Sequence, residues 1–445
     1  MARKNGVILF VLFFCRFLLC GGQNLQHRML LAENLYKSGE YCKAEAEYGQ
    51  ILKENPKNTT VMLNIGNVLY LQNKLEQARK VYQEILMIKP SSFGALSNLG
   101  FIYAQEREFD KAIPIFEFIV LNVPNDQISR ANLGNYYLTV GRLKEGFGEY
   151  GWRASGRKEI NTIHGNIPVW NGSNIWGKKI VLATEQGIGD IFHFIRYAKL
   201  LKECGAHVAV KLHRKFLKPI LSLCPYIDEI ISHDVYGGFD FKERLMSLPY
   251  KCKTEIDSVP MDVPYLFANK SLVNFWKQML ASDSKIKIGL CWSVEAKAEL
   301  FTSHKSCKRS IDISAFEPIV NSSASFYSLQ KDFQNGIKTG GLVVHGFGDD
   351  FDNGSGAFMD SAAIIKNLDL VVTVDTSVAH LAGALGVPVW VLLPYESDWR
   401  WMLERNDSPW YPTMRLFRQK KPGEWASVVE EISQELSKVI QKGKK

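Results

Sequence analysis

The stretch LDLVVTVDTSVAHLAGALGVPVWVLL, residues 368–393, decides the fold of this chain. Its unbroken apolar, β-branched run at 370–374 predicts a parallel strand that is buried on both faces. The short polar side chains at 375–377 can cap a helix, and the Gly-Val-Pro at 386–388 ends it. Residues 389–393 predict a second strand, so the stretch is a strand–helix–strand unit of an α/β domain.

The turn at 375–377 lies where the strand ends and the helix begins. The free N–H groups and the positive dipole end of such a helix favour an anion, for example a phosphate. His380, one turn into the helix, adds a second potential phosphate donor. The alternative is a capped helix that holds no ligand, because caps of this kind are common.

Residues 375–390 resemble the donor-site segment of bacterial GT-B glycosyltransferases of the heptosyltransferase and O-GlcNAc-transferase-like type. The match is closest to bacterial proteins that fuse tetratricopeptide repeats to such a transferase. The resemblance implies that Asp375, Thr376, Ser377 and His380 bind the diphosphate of a nucleotide sugar.

Residues of one type recur every 34 positions in the N-terminal third. They are small (Ala44, Ala78, Ala112), aromatic (Tyr48, Tyr82, Phe116), isoleucine (Ile51, Ile85, Ile119) or proline (Pro56, Pro90, Pro124), with a further small series at Ala32, Gly66, Gly100 and Gly134. Small residues let paired helices approach, the aromatic fills the wedge between hairpins, and proline ends the second helix. This is the tetratricopeptide pattern, with three full repeats and a divergent fourth that has Gly146 in place of alanine.

The remainder of the chain reads as two successive α/β halves, which predict two facing Rossmann-like domains with a ligand cleft between them. The expected fold class is α plus α/β multidomain, a tetratricopeptide α-solenoid followed by what the resemblance identifies as a GT-B fold. We predict these segments: 1–24 hydrophobic; 25–156 repeats; 157–178 connector; 179–282 acceptor-side domain; 283–420 donor-binding domain; 421–445 C-terminal helix. Within them, a single amphipathic helix is expected over 191–204 and an irregular, aromatic segment over 398–419.

The sequence EQGIGDIFHFIRY, residues 185–197, places Gly187 and Gly189 in a strand-to-helix turn, where the backbone can approach a substrate closely. No third glycine stands at the dinucleotide spacing, which disfavours an NAD(P) domain. By resemblance, Gln186, Gly187 and Gly189 form the acceptor-side loop, and Asp190 is the base that deprotonates the acceptor hydroxyl. The alternative is that Asp190 only caps the helix.

In the second half, Trp292, Arg309, Gln330 and Lys331 stand at or just after predicted strand ends. Arg309 and Ser310 match an Arg-Ser pair of the resembling family, and a guanidinium suits a diphosphate through its planar fork. The segment SLQKD at 328–332 resembles the nucleotide-contacting Gln and Lys. The alternative for this segment is that its polar residues are those found at any strand end. The insertion at 294–308, which contains Lys305 and Lys308, is atypical of the family, and the alternative for it is a solvated surface loop.

We predict that the protein uses neither a metal ion nor a cofactor. Asp349, Asp350 and Asp352 have a spacing that can chelate a divalent ion, although in a Gly-rich loop they also suit helix capping. GT-B enzymes use helix dipoles and basic residues in place of a metal. The resemblance therefore implies no metal and no cofactor beyond the nucleotide-sugar co-substrate.

The net charge of +8 is concentrated at the two ends, within residues 1–28 and 415–445. The body carries no basic stripe, so we predict no nucleic-acid partner. The apolar run within 1–28 is interrupted by Arg16 and shorter than the about 20 residues that span a bilayer. This run is interpreted as a weak membrane-surface anchor or as sequence upstream of a true start at Met29. We expect the rest of the protein to be cytoplasmic.

The expected function is a metal-independent glycosyltransferase that moves a sugar from a nucleotide-diphosphate donor to a protein or glycan acceptor. The acceptor would be recruited by the concave groove of the repeats. The alternative is a non-catalytic adaptor with a vestigial transferase domain, which the atypical insertion favours.

Overall fold

The computed structural model of the protein describes residues 22–153, 160–294, 309–320, 323–331, 333 and 336–443. The predicted N-terminal segment up to residue 21, and Lys305 and Lys308 of the insertion, lie outside the described residues. The chain divides into two compact units, with the boundary between Tyr137 and Leu138.

The first unit consists of helical hairpins. Its helices are α1 (Gly22–Lys37), α2 (Tyr41–Glu54), α3 (Thr59–Leu71), α4 (Leu75–Ile88), α5 (Phe93–Gln105), α6 (Phe109–Asn122) and α7 (Gln127–Thr139), the last of which ends just past the unit boundary. A Cβ on Gly66 would overlap the ring of Tyr82, and one on Gly100 would come within 2.6 Å of Phe116. The small and aromatic series are therefore partners across each hairpin, as the 34-residue step predicts.

The second unit begins with α8 (Leu143–Tyr150) and contains two lobes. The first lobe is a parallel four-stranded sheet in the order β3-β2-β1-β4. Its strands are β1 (Lys179–Ala183), β2 (His207–Lys211), β3 (Glu229–Ile231) and β4 (Phe241–Arg244), and its helices are α9 (Ile188–Phe194), α10 (Arg196–Glu203), α11 (Lys218–Leu221) and α12 (Leu248–Lys251).

The second lobe is a seven-stranded sheet in the order β11-β10-β9-β5-β6-β8-β7, parallel except for the β7–β8 pair. Its strands are β5 (Ile286–Cys291), β6 (Ala324–Ser328), β7 (Ile337–Thr339), β8 (Leu342–His345), β9 (Leu370–Val374), β10 (Val389–Leu393) and β11 (Met414–Arg418). Its helices are α13 (Lys270–Met279), α14 (Met359–Ile365), α15 (Ser377–Ala384) and α16 (Trp425–Gly443). The predicted strand–helix–strand unit is confirmed as β9, α15 and β10, and both strands are buried along their whole length.

Two sequence predictions about elements are wrong. The expected single helix over 191–204 is divided at Ile195, where Arg196 turns back to donate from Nε to the carbonyl of His193 at 2.8 Å. The segment 398–419 is not wholly irregular, because its last part is β11, an edge strand that pairs in parallel with β10. Arginines interrupt the apolar residues of β11, which hides its pattern.

The hydrophobic core is continuous between the lobes. One cluster of buried side chains includes residues of the first sheet, α8, α9, α15 and one face of the second sheet. A second cluster fills the opposite face of the second sheet beneath α16. The predicted fold class, helical repeats followed by two Rossmann-like lobes, is confirmed. Among the described residues, the structure contains no helix that is both long and apolar enough to span a bilayer.

Candidate active site between the two lobes

Helices α9 and α15 pack against each other where the two lobes meet. A Cβ on Gly189 would lie 2.8 Å from the imidazole Cδ2 of His380 and 3.7 Å from the Cα of Ser377. The glycine is therefore required by a close approach to the first turn of α15. The fold brings the predicted acceptor-side loop and the predicted donor-side helix into direct contact.

Asp190 has two partners, one on each lobe. Its Oδ2 accepts from the backbone N–H of Gly187 at 2.7 Å, which is the helix-capping contact. Its Oδ1 accepts from Nη2 of Arg400 at 2.6 Å, in an ion pair between residues 210 positions apart. The side chain of Asp190 remains 20% exposed, so a solvent or substrate group can still reach it.

Arg400 is a site residue that the sequence did not reveal. Its Nη1 donates to Asp398 at 2.8 Å, and its side chain is 6% exposed. Its guanidinium carbon lies 4.4 Å from the centre of the Trp399 ring, and its Nε has no hydrogen-bond partner among the described residues. Burial lowers the pKa of Arg400, but the carboxylates of Asp398 and Asp190 outweigh burial and raise it. In the sequence, Arg400 stands in the run Asp-Trp-Arg-Trp at 398–401, which has no helix or strand periodicity that would indicate a site.

The donor-side turn is capped, with Asp375 buried and Thr376 and Ser377 partly exposed. Thr376 Oγ1 accepts from the N–H of Val378 at 3.2 Å, and Ser377 opens α15. Asp375 is 5% exposed, and Arg309 Nη1 lies 3.6 Å from its Oδ2. Burial raises the pKa of Asp375 even though Arg309 lowers it. A carboxyl group that is more easily neutralised repels a neighbouring anion less.

His380 is buried in an aromatic cluster within the same interface. Its ring stacks on Trp401 with centroids 5.3 Å apart, and its Nδ1 lies 2.8 Å from the hydroxyl of Tyr411. His193 of α9 approaches the same hydroxyl, with its Nδ1 at 3.1 Å. Burial and the charge of Arg400 lower the pKa of His380 to about 3, so its imidazole is neutral near pH 7.

The remaining predicted donor residues lie at the carboxyl ends of β5 and β6. Gln330 is buried, and its Oε1 accepts from the N–H of Ser293 at 3.1 Å, which ties the two strand ends together. Lys331 is exposed. Trp292 is 3% exposed and packs against Phe333 with ring centroids 5.1 Å apart. Trp292 is therefore a core residue that supports the strand end.

Residues at the end of α8 and just after it support the glycine turn. Arg153 forms a buried ion pair with Glu185 and donates to the carbonyl of Tyr150 at 3.0 Å. Gln186 Nε2 donates to the hydroxyl of Tyr150 at 3.4 Å. Burial raises the pKa of Glu185, and Arg153 opposes that rise. Sequence reasoning missed Glu185 and Arg153, although Glu185 stands directly before the predicted turn.

Of the three carboxylates Asp349, Asp350 and Asp352, one is buried. Asp352 accepts from the backbone N–H of Ser361 at 3.0 Å and also from its hydroxyl, and thereby caps α14. Within the described ranges, no three His, Cys, Asp or Glu side chains are grouped so that they could hold a metal ion. Metal independence stays a prediction.

Comparison with known proteins identifies tetratricopeptide repeats in the first unit and gives weaker likenesses over longer parts of the chain. Residues 35–100 match the family model of the tetratricopeptide repeat. The chain is 24% identical over 327 residues to protein FlbA of Caulobacter vibrioides, a match that covers 65% of this chain and 51% of FlbA. The chain thus spans about half the length of that curated relative.

Two similar solved structures have low sequence identity to this chain. A glycosyl transferase family 9 protein from Veillonella parvula is 12% identical, with a TM-score of 0.44 over 61% of this chain and 99% of that one. YrrB, described as a tetratricopeptide repeat protein with an unusual peptide-binding site, is 20% identical, with a TM-score of 0.26 over 28% of this chain and 64% of that one.

Proposed function

We propose that the second unit is a glycosyltransferase that moves a sugar from a nucleotide-diphosphate donor to an acceptor recruited by the tetratricopeptide repeats. The observation that carries this proposal is the contact between the glycine turn of Asp190 and the first turn of α15, with Gly189 against His380. This contact supports the proposal because Asp190, the proposed base, belongs to one lobe and α15, the proposed phosphate site, belongs to the other.

The donor diphosphate binds at the first turn of α15. Backbone N–H groups and the helix dipole favour the anion there, with Thr376 and Ser377 at the turn and Arg309 beside it. The guanidinium of Arg309, with Nη1 3.6 Å from Asp375 Oδ2, offsets the charge of that carboxylate beside the anion. Gln330 and Lys331 contact the nucleotide, and Trp292 supports the strand end that carries them.

Asp190 acts as the general base. The acceptor hydroxyl oxygen attacks the anomeric carbon, its proton passes to the Asp190 carboxylate, and the bond from that carbon to the diphosphate oxygen breaks. Arg400 holds the carboxylate in position through its 2.6 Å contact. The charge that develops on the leaving diphosphate is balanced by Arg309, Arg400 and the helix N-terminus, which makes the reaction independent of a metal.

The test is release of nucleoside diphosphate from a panel of nucleotide sugars by the full chain. Asp190→Asn should lower turnover by about 10²–10⁴-fold, because it removes the proton acceptor. Asp350→Asn is the matched control, since Asp350 is exposed and should leave turnover unchanged.

The second candidate is an adaptor without transferase activity. It is favoured by the atypical insertion at 294–308 and by the ion pair that occupies Asp190. Absence of both turnover and nucleoside diphosphate binding would favour the adaptor and exclude the transferase.

A further inference from the structure

A buried ion pair joins the glycine turn to the residue that follows α8 by three positions. Glu185 pairs with Arg153, and their side chains are 0% and 5% exposed. Arg153 Nη2 also donates to the hydroxyl of Ser247 at 3.3 Å, and Glu185 Oε1 accepts from the N–H of Met246 at 3.3 Å. The pair therefore connects three segments: the end of α8, the glycine turn and the residues after β4.

Stability alone does not explain this ion pair. Arg153 Nε and Glu185 Oε2 are buried and have no hydrogen-bond partner among the described residues. Two charges that are removed from water and incompletely hydrogen-bonded are often no more stable than a well-packed apolar pair of similar volume. An unsatisfied buried polar atom in a folded protein calls for an explanation, and here both atoms belong to the pair beside the candidate base.

The residue after Glu185 has a strained backbone. Gln186 has a φ of +64°, in the left-handed region that residues other than glycine rarely adopt. Its carbonyl oxygen lies 3.0 Å from His213 Nε2, and its side-chain Nε2 donates to the hydroxyl of Tyr150 at 3.4 Å. Strained backbone persists only where the surrounding contacts impose it. The contacts of Glu185 and Gln186 therefore impose the shape of the turn.

The next residue connects the turn to the candidate base. The N–H of Gly187 donates to Asp190 Oδ2 at 2.7 Å, so the orientation of this peptide group sets one of the two contacts of the carboxylate. The other contact is Arg400 of the second lobe. A shift of the backbone at Glu185 would turn the Gly187 N–H away and misalign the carboxylate. A misplacement of about 1 Å can lower the rate of a catalysed reaction about 10²-fold.

We propose that the ion pair between Arg153 and Glu185 is a positioning device of the transferase, through which the end of α8 fixes the glycine turn and thereby the direction of the Asp190 carboxylate. Both side chains are buried and act on the reaction through Asp190, so they are positioning residues rather than catalytic ones. The word transferase rests on the proposed function. The fixing of the turn rests on the contacts of Arg153 and Glu185 alone.

The test replaces both charges by apolar side chains of similar volume, in the variant Arg153→Met/Glu185→Leu of the full chain. Because the pair is incompletely hydrogen-bonded, the urea midpoint of this variant should equal or exceed that of the wild type. Its kcat for nucleoside diphosphate release should fall about tenfold or more, while KM for the nucleotide sugar stays within about twofold. KM is spared because the donor site lies on the other lobe.

Hydrogen–deuterium exchange measured by mass spectrometry gives a readout that does not depend on turnover. Peptides covering residues 185–190 should exchange about tenfold or more faster in the double variant, whereas peptides covering β9 should not change. The matched control is Arg415→Met/Glu435→Leu, which removes an ion pair of the second lobe with Nη1 2.6 Å from Oε2. This control should change neither the exchange of the turn nor the turnover.

The inference is overturned if the turn of the double variant exchanges like that of the wild type. It is also overturned if faster exchange leaves the kcat of an active protein unchanged, or if stability and donor binding are lost together with turnover, as an ordinary structural role requires. A wild type without turnover refutes the proposed function, and the exchange measurement then still decides whether the pair fixes the turn. Wild-type turnover with an unchanged turn in the double variant refutes this inference alone.

Discussion

At the scale of single residues, the site is a set of opposite charges that are buried to different extents, from the 6% exposed side chain of Arg400 to the 38% exposed side chain of Asp398. Asp190, Asp375 and Asp398 lie among the guanidinium groups of Arg309 and Arg400. Three carboxylates against two guanidiniums leave an excess negative charge, and the fold accommodates it in part by raising the pKa of Asp375 through burial. Arg309 was predicted from its match to a family motif, whereas Arg400 was not, because its pairing with Asp190 depends on the meeting of two lobes.

Arg400→Gln should destabilise the protein, because it leaves Asp190 and Asp398 without their cationic partner. Removal of a largely buried partner costs about 3–5 kcal/mol, and the 38% exposure of the Asp398 side chain reduces the expected loss to about 2–3 kcal/mol. Urea denaturation followed by circular dichroism measures the free energy of unfolding.

Arg405→Gln is the control for that change. The pair between Arg405 and Asp407 is more exposed, at 31% and 64%, so its loss should cost less than about 1 kcal/mol. The double variant Arg400→Gln/Asp398→Asn should recover part of the stability. Equal losses for Arg400→Gln and Arg405→Gln would contradict the structural importance of the Arg400 cluster.

His380 should make the protein sensitive to acid. Burial lowers its pKa to about 3 in the folded protein, against about 6.5 when unfolded, so its stabilising contribution is present above pH 6.5 and is lost as the pH falls. The stability difference between the wild type and His380→Gln should shrink by about 1.4 kcal/mol for each pH unit below 6.5. Urea titrations at pH 7.0, 6.0 and 5.0 measure it, and a difference that stays constant with pH would refute the prediction.

At the scale of elements, the clearest sequence signals come from fully buried strands. Strands β9 and β10 were predicted at their observed bounds because every residue of each faces the core. The three-residue β3 and the edge strand β11 were not identified, since a short or arginine-containing strand has no long apolar run. At the division of the 191–204 helix, the Arg196 guanidinium also donates from Nη1 to the carbonyl of Trp410 at 2.6 Å, a tertiary contact that local periodicity does not encode.

The packing of α9 on α15 predicts a strong effect of Gly189→Ala. The added Cβ would lie 2.8 Å from His380, so one helix must shift, at a cost of about 1–3 kcal/mol for overpacking. The same shift should lower transferase turnover, because it separates the glycine turn from α15. Thermal unfolding and nucleoside diphosphate release measure the two effects.

Gly341→Ala is the matched control in the same unit, because its Cβ would meet no atom within 4 Å. It should leave both stability and turnover near the wild-type values. If Gly189→Ala behaved like Gly341→Ala, the close contact between α9 and α15 would not exist in solution.

At the scale of the whole molecule, the sequence predicted the order of the parts more fully than their contacts. The 34-residue step identified the repeats, and the alternation of strand and helix identified two α/β lobes. The side-chain contacts that join α8 to the second unit were not predicted. Phe147 of α8 lies 5.6 Å from Trp399 and 6.2 Å from Trp410, in ring pairs that join residues about 250 positions apart.

The place of α8 in the hydrophobic core of the second unit predicts where that unit can be cut. A fragment of residues 138–445 should unfold cooperatively, because it keeps Phe147, Tyr150 and Arg153. A fragment of residues 154–445 should not, because it exposes Trp399 and leaves the buried Glu185 carboxylate without Arg153. Near-ultraviolet circular dichroism during heating distinguishes them, and matching transitions for the two fragments would show that α8 is dispensable.

The hydroxyl of Tyr411 has one hydrogen, yet it stands between the Nδ1 atoms of His193 and His380, at 3.1 and 2.8 Å. It can donate to only one of them, so for both contacts to be hydrogen bonds the other ring must itself donate through Nδ1. Burial keeps both imidazoles neutral, and each therefore carries a single proton. The two rings are driven into opposite tautomers, and the choice made by a ring on one lobe dictates the choice on the other.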